Sequence, residues 1–138
     1  MKKPARAEEL VREVIDRNPF NYRAYNGLGI VMEQKGDYRE AVSSYRESAR
    51  LNPESSVALR NLADCFRDIG DIPKAIAAGE EAIRREPGNP AGYLVLSRIY
   101  IARGEFNEAR KLLKRAVSLD PGNPKIRARL WALPASGD

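Results

Sequence analysis

The sequence has no histidine and a single cysteine, Cys65, and these two shortages exclude more chemistry than any motif supplies. Without histidine the commonest general base, the usual zinc ligand and the side chain that titrates near neutral pH are missing. Most catalytic and metal-binding constellations therefore cannot be assembled. A lone cysteine rules out an internal disulfide and is compatible with a reducing compartment. No apolar run approaches the roughly 18 residues of a membrane span, and the basic start, MKKPARAEELV, lacks the apolar stretch of a signal peptide. The glycines form no phosphate-binding loop. The expectation is a cytoplasmic chain, without membrane insertion, cofactor or metal, unless it is part of a larger exported or anchored protein.

What is present suits one helix-rich soluble domain: 138 residues, 43% of them apolar and 31% charged. The net charge of +5 is unevenly placed. Residues 103–129 hold eight Lys or Arg against Glu105, Glu108 and Asp120, and eight minus three is the whole excess. A basic end can attract nucleic acid or an acidic partner; it can equally be a solvated helix face.

A repeat organises the rest. GDYREA (Gly36 to Ala41) returns as GDIPKA (Gly70 to Ala75) and as GEFNEA (Gly104 to Ala109), each step 34 residues. In each copy Gly is positioned to close one helix in a left-handed conformation, an acidic residue to cap the next, and Ala to let two helices touch. Pro19, Pro53, Pro87 and Pro121 keep the same interval and mark helix ends. Asp37 with Glu40 has the spacing of a capping box, and PGNP at 87–90 and 121–124 offers an Asn cap followed by a helix-starting Pro. Three units follow, 22–55, 56–89 and 90–123.

Within each unit the apolar residues have helical spacing. The first helices place Tyr25, Leu28 and Met32, then Leu59, Leu62 and Phe66, then Tyr93, Leu96 and Tyr100 along one stripe. Small residues, Gly29, Ala63 and Ser97, sit inside that stripe. In the second helices Ala41, Ala75 and Ala109, and later Ser48, Ala82 and Ala116, are small where backbones must approach. Tyr45, Gly79 and Leu113 share one further position, and Gly79 leaves a space that the reading assigns to local collapse.

This arrangement resembles the tetratricopeptide repeat family, whose 34-residue helix-turn-helix unit favours an aromatic at position 4, Leu-Gly at 7 and 8, Ala at 20 and 27, and Pro at 32. The resemblance covers all three units. It implies an all-α, right-handed solenoid. Residues 1–21 match only a second helix, and residues 124–138 only a first helix followed by a frayed tail, PASGD. The array thus reads as three full repeats with a half-repeat at each end.

The resemblance further implies a concave face formed by the first helices, which holds a protein partner, as an extended peptide or a helix. On this sequence the residues expected there are Arg23, Asn26, Ile30, Arg60, Asn61, Asp64, Leu94, Val95 and Arg98. Asn26 and Asn61 would hold a peptide backbone, Arg23, Arg60 and Arg98 would meet acidic groups, and Leu94, Val95 and Ile101 would receive an apolar residue. The alternative for these residues is a solvated face, with Arg60 merely paired to Asp64. Family members that bind Hsp90 or Hsp70 clamp a terminal carboxylate with a set of Lys, Asn and Arg. The corresponding positions here are Asn26, Ile30, Asn61, Ala91 and Val95, of which only Asn61 fits, so no clamp of that kind is expected.

No catalytic residues are assigned. Cys65 lies beside the core residue Phe66 and reads as structural, and Asp64 and Asp68 lie beside Arg60 and Arg67 as a surface ion-pair ladder. The function expected is non-enzymatic scaffolding of protein partners, the alternative being nucleic-acid binding through the basic end. Trp131 occupies the position that is small in all three full units. It either covers the bare end of the array or inserts into a neighbouring copy, giving a homo-oligomer joined through the terminal half-repeats.

Overall fold

The computed structural model describes residues 4–135, and its helices alternate with short turns throughout. Helix α1 spans Pro4–Arg17, α2 Tyr22–Lys35, α3 Tyr38–Leu51 and α4 Val57–Ile69. Helix α5 spans Ile72–Arg85, α6 Pro90–Ala102, α7 Phe106–Leu119 and α8 Pro124–Trp131. Each helix packs on the next, and α4 also touches α2 and α6. Three antiparallel pairs, α2–α3, α4–α5 and α6–α7, thus stack into a solenoid with a single helix at either end. Helix α8 stops at Trp131, short of the Leu133 expected, because Pro134 cannot continue it. Of the tail expected to fray, residues 136–138 lie outside those described. Among the described residues no helix is long and apolar enough to cross a membrane.

The turns inside the pairs follow from local chemistry. Gly36, Gly70 and Gly104 have φ of 83°, 95° and 77°, a region where a Cβ is strained. The Gly36 N–H donates to Glu33 O and the Asp37 N–H to Met32 O, which satisfies the last carbonyls of α2; Gly70 and Asp71 repeat the pattern on Arg67 and Phe66. Asp37 and Asp71 then cap α3 and α5 by accepting the N–H groups of Glu40 and Lys74, each at 3.2 Å. Glu105 makes no such bond. The expected capping box at Asp37 and Glu40 is only half made, because Glu40 instead accepts Arg12 of α1 at 3.0 and 3.1 Å. Asn21, Asn89 and Asn123 cap α2, α6 and α8.

Close approach decides the packing. Ala41, Ala63, Ala75, Ala82, Ala109 and Ala116 have no exposed surface. A Cβ on Gly29 would stand 2.5 Å from the Tyr45 ring, so only glycine admits that ring between α2 and α3. Where Gly79 replaces the large residue, Leu96 of the following pair moves in, its Cδ1 3.0 Å from where a Cβ would lie.

The α3–α4 turn is held from outside by the end of α5. Arg85 donates to Ala49 O at 2.7 Å, closing the C-terminus of α3, while the Glu86 carboxylate accepts the Ser56 N–H at 2.6 Å at the start of α4. Ser56 gives α4 no side-chain cap of its own. The Ser56 N–H holds the Glu86 carboxyl below its ordinary range. Such a depressed value stabilises the fold above the unfolded pKa, about 4.3, and the gain is lost as pH falls through the folded value. Glu86→Gln should cost about 1–3 kcal/mol at pH 7 in urea unfolding, with the deficit shrinking towards pH 3. An equal deficit at both pH values would show that the charge is not what caps α4.

Candidate partner-binding groove

Helices α2, α4 and α6 form one wall, and two side-chain bonds cross it. Asn61 donates from Nδ2 to Asn26 Oδ1 at 2.9 Å, and Arg98 donates to both carboxylate oxygens of Asp64, at 3.2 and 3.5 Å. Each bond joins equivalent faces of neighbouring pairs. The repeat places such residues side by side automatically.

Three hollows follow this wall. The first, about 250 Å³, lies where α2, α3 and α4 meet and brings together Arg23, Asn26 and Val57. Arg23 stacks its guanidinium 5.4 Å from the Tyr22 ring centre. The second, about 330 Å³, is lined by Ile30, Asn61 and Asp64 together with Glu33, Asp68 and Tyr45. The third, about 370 Å³, is almost wholly apolar and lies at the far end, between α6, α7 and the segment after α8; Arg98 and Ile101 belong to it. Ile30 and Val57 are 40% and 43% exposed, so apolar surface is open along the wall.

One expectation needs correction, and one detail of the alternative reading does not hold. Val95 is not on the open surface: it is 4% exposed and lies in the core. Its counterpart Gly27 shows why, since a Cβ there would meet Val11 of the preceding second helix at 3.8 Å. Gly27 and Val95 face back into the array, whereas Asn61 at the same repeat position, like Leu94, stays half-buried. Arg60 is not paired with Asp64 either. Its Nε donates to Ser56 Oγ at 3.2 Å, leaving Asp64 to Arg98 and, at 3.7 Å, to Arg67.

The acidic middle of the wall was not legible as a cluster in the sequence. Glu33 comes from α2, and Asp64 and Asp68 come from α4. Burial raises the Glu33 carboxyl, the hydrogen bond from Tyr45 (2.7 Å) opposes this, and Asp68 and Asp64 push it up again. Only the repeat register, which sets the end of one first helix beside the next, could have revealed it. Cys65, below this cluster, has no exposed surface, and burial followed by Glu33 and Asp68 pushes its thiol up to about 12. Such a buried thiol stays neutral near pH 7. Among the described residues no group of three or more His, Cys, Asp or Glu is arranged to hold a metal ion.

A raised carboxyl binds its proton more tightly folded than unfolded. Its stabilising contribution is therefore full below the unfolded pKa and lost as pH rises through the folded value. Glu33→Gln keeps an acceptor for Tyr45 and removes the charge. Its melting temperature relative to wild type should rise more at pH 7 than at pH 4, and a difference independent of pH would refute the crowding of carboxylates.

Models of the tetratricopeptide repeat match residues 1–56, 33–90 and 68–130. No curated protein matches the sequence. Among solved structures, TTC0263, a thermophilic tetratricopeptide-repeat protein of Thermus thermophilus, shares 21% identity at a TM-score of 0.81, covering 91% of this chain and 70% of its own. MamA from Desulfovibrio magneticus RS-1 shares 21% identity at a TM-score of 0.72, covering 92% and 72%. The first tetratricopeptide domain of Spaghetti (RPAP3), solved with the HSP90 peptide SRMEEVD, shares 20% at 0.68, covering 80% and 87%. At such identities the likeness is one of fold.

Proposed function

The chain belongs to the tetratricopeptide repeat family, and from that premise we propose that it is a non-enzymatic scaffold that holds a partner protein along the wall of α2, α4 and α6. In this reading 22–55, 56–89 and 90–123 are the three binding units. The partner is an extended segment or a helix. One observation carries the proposal: with Asn61 Nδ2 given to Asn26 Oδ1, the outer groups of this pair, Asn26 Nδ2 and Asn61 Oδ1, remain as one donor and one acceptor for a peptide backbone. Arg23, Arg60 and Arg98 meet acidic groups beside it, and Leu94 and Ile101 receive an apolar side chain. The HSP90 peptide held by the Spaghetti domain is not carried over to this chain. The residues that would clamp its carboxylate are absent, apart from Asn61.

Peptides selected from a random phage-displayed library against the wild type test this. A variant combining Asn61→Ala and Arg98→Glu should bind them about tenfold or more weakly, the loss of one or two hydrogen bonds to charged or amide groups. Unchanged affinity, with an unchanged melting curve, would remove the wall as the binding face.

We also propose that copies associate through their ends. Trp131 is 80% exposed, so it does not cover its own end of the array, and Phe20 at the opposite end is 72% exposed. Solenoid ends ordinarily present polar caps. Light scattering over a concentration series should show the average mass rising, with the rise reduced in Trp131→Ala. A strictly monomeric wild type would remove this second reading.

A further inference from the structure

We infer that the association runs head to tail, with Phe20 of one copy seated in the apolar hollow at the far end of the next. The inference rests on the reading that the ends associate. It names which surfaces meet.

The hollow exists because α8 is short. The first helices α2, α4 and α6 run for 14, 13 and 13 residues, whereas α8 runs for 8. The surface of α6 and α7 that a longer helix would cover stays open. Ile101, Phe106 and the fully buried Leu113 belong to its lining, Leu133 lies on the α8 side, and Arg98 and Arg129 supply its charge. Arg110 holds the rim by donating to Pro134 O. About 370 Å³ of such space exceeds a benzyl side chain, and the Arg129 guanidinium favours an apolar group that arrives with a carboxylate, Arg98 being engaged by Asp64.

The other end of the molecule carries that combination. Phe20 lies in the α1–α2 turn, and the same repeat position is Glu54, Gly88 and Gly122 in the later turns, all exposed. The turn therefore does not need an aromatic side chain. One helical turn before it, exposed Asp16 has no basic partner among the described residues. Residues 1–21 hold Glu8, Glu9, Glu13 and Asp16 against Lys2, Lys3, Arg6, Arg12 and Arg17, and α8 holds Lys125, Arg127 and Arg129, so the complementarity is local: Asp16 stands beside Phe20, and Arg129 lines the hollow. Seating Phe20 brings Asp16 towards Arg129, and the pairing is between different surfaces. A knob and a pocket on opposite ends give a heterologous contact, which builds rings or open chains rather than a closed two-fold dimer.

Sedimentation velocity on the full chain tests the seating. Wild type should grow beyond a dimer as concentration rises, and Phe20→Ala should weaken association about tenfold or more. Ile101→Glu, blocking the hollow, should do the same, and Arg129→Glu, on an exposed side chain, gives a hollow-side variant that leaves packing intact. Phe20→Ala retains a hollow and Ile101→Glu retains Phe20, so mixing the two should yield a one-to-one dimer that grows no further. Association that survives Phe20→Ala would overturn the seating while leaving end-to-end contact intact. Two monomeric variants that fail to pair on mixing would overturn it as well. A wild type monomeric at every concentration would overturn both the seating and the end-association reading.

Discussion

The close approach of paired helices is the constraint on which everything else rests. Tyr45 can lie between α2 and α3 only because Gly29 has no side chain. Its ring is 1% exposed, and its hydroxyl reaches through the packing to Glu33 on the groove side. The later pairs reach the same spacing differently. Ser97 stands opposite Leu113 in register, and the space left by Ala63 and Gly79 is taken by Leu96 from the next pair. Spacing, not identity, is preserved, because stacking pairs must keep a common rise to bury a continuous core.

That constraint links core to surface. Once second helices are locked at fixed spacing, first helices are placed side by side, so that the equivalent residues Asp64 and Arg98 meet and Asn26 meets Asn61, one place past its own equivalent. The charge pattern of the groove is then set by pairs, each half-exposed and individually weak. The Arg85–Glu86 staple works in the same direction. By closing α3 of the preceding pair and capping α4 of its own, it fixes the start of α4, the central helix of the wall.

Much of this was legible in the sequence because its causes are local. A glycine at a helix stop, an Asn or Asp cap and an alanine at a fixed offset act over a few residues, so Gly36, Asp37 and Ala41 could be read directly. The candidate site was less legible because its determinants lie about one repeat away. Arg85 acts on carbonyls 30 to 36 positions earlier, and Arg98 reaches an aspartate 34 positions away in preference to leaving Asp64 to Arg60. The burial of Val95 depends on what the preceding second helix presents, which its own helix does not reveal. Periodicity assigns a residue to a stripe; whether that stripe lies open is decided by the neighbour.

The same distinction applies to the ends. The two terminal helices are not simply unfinished core. Helix α1 is tied down by charge, with Glu8 accepting Arg12 at 2.9 Å and Lys35 at 2.6 Å, and Arg12 reaching on to Glu40. Helix α8 keeps Ile126 buried at 2% but carries Arg127 where the full units have Tyr25, Leu59 and Tyr93. Both terminal helices thus present charge where the full units present apolar side chains. Against that polar background Phe20 and Trp131 stand out, each at a position that is small or polar in the corresponding places of the full units. These two exposed aromatic side chains are what the proposed end-to-end contact rests on.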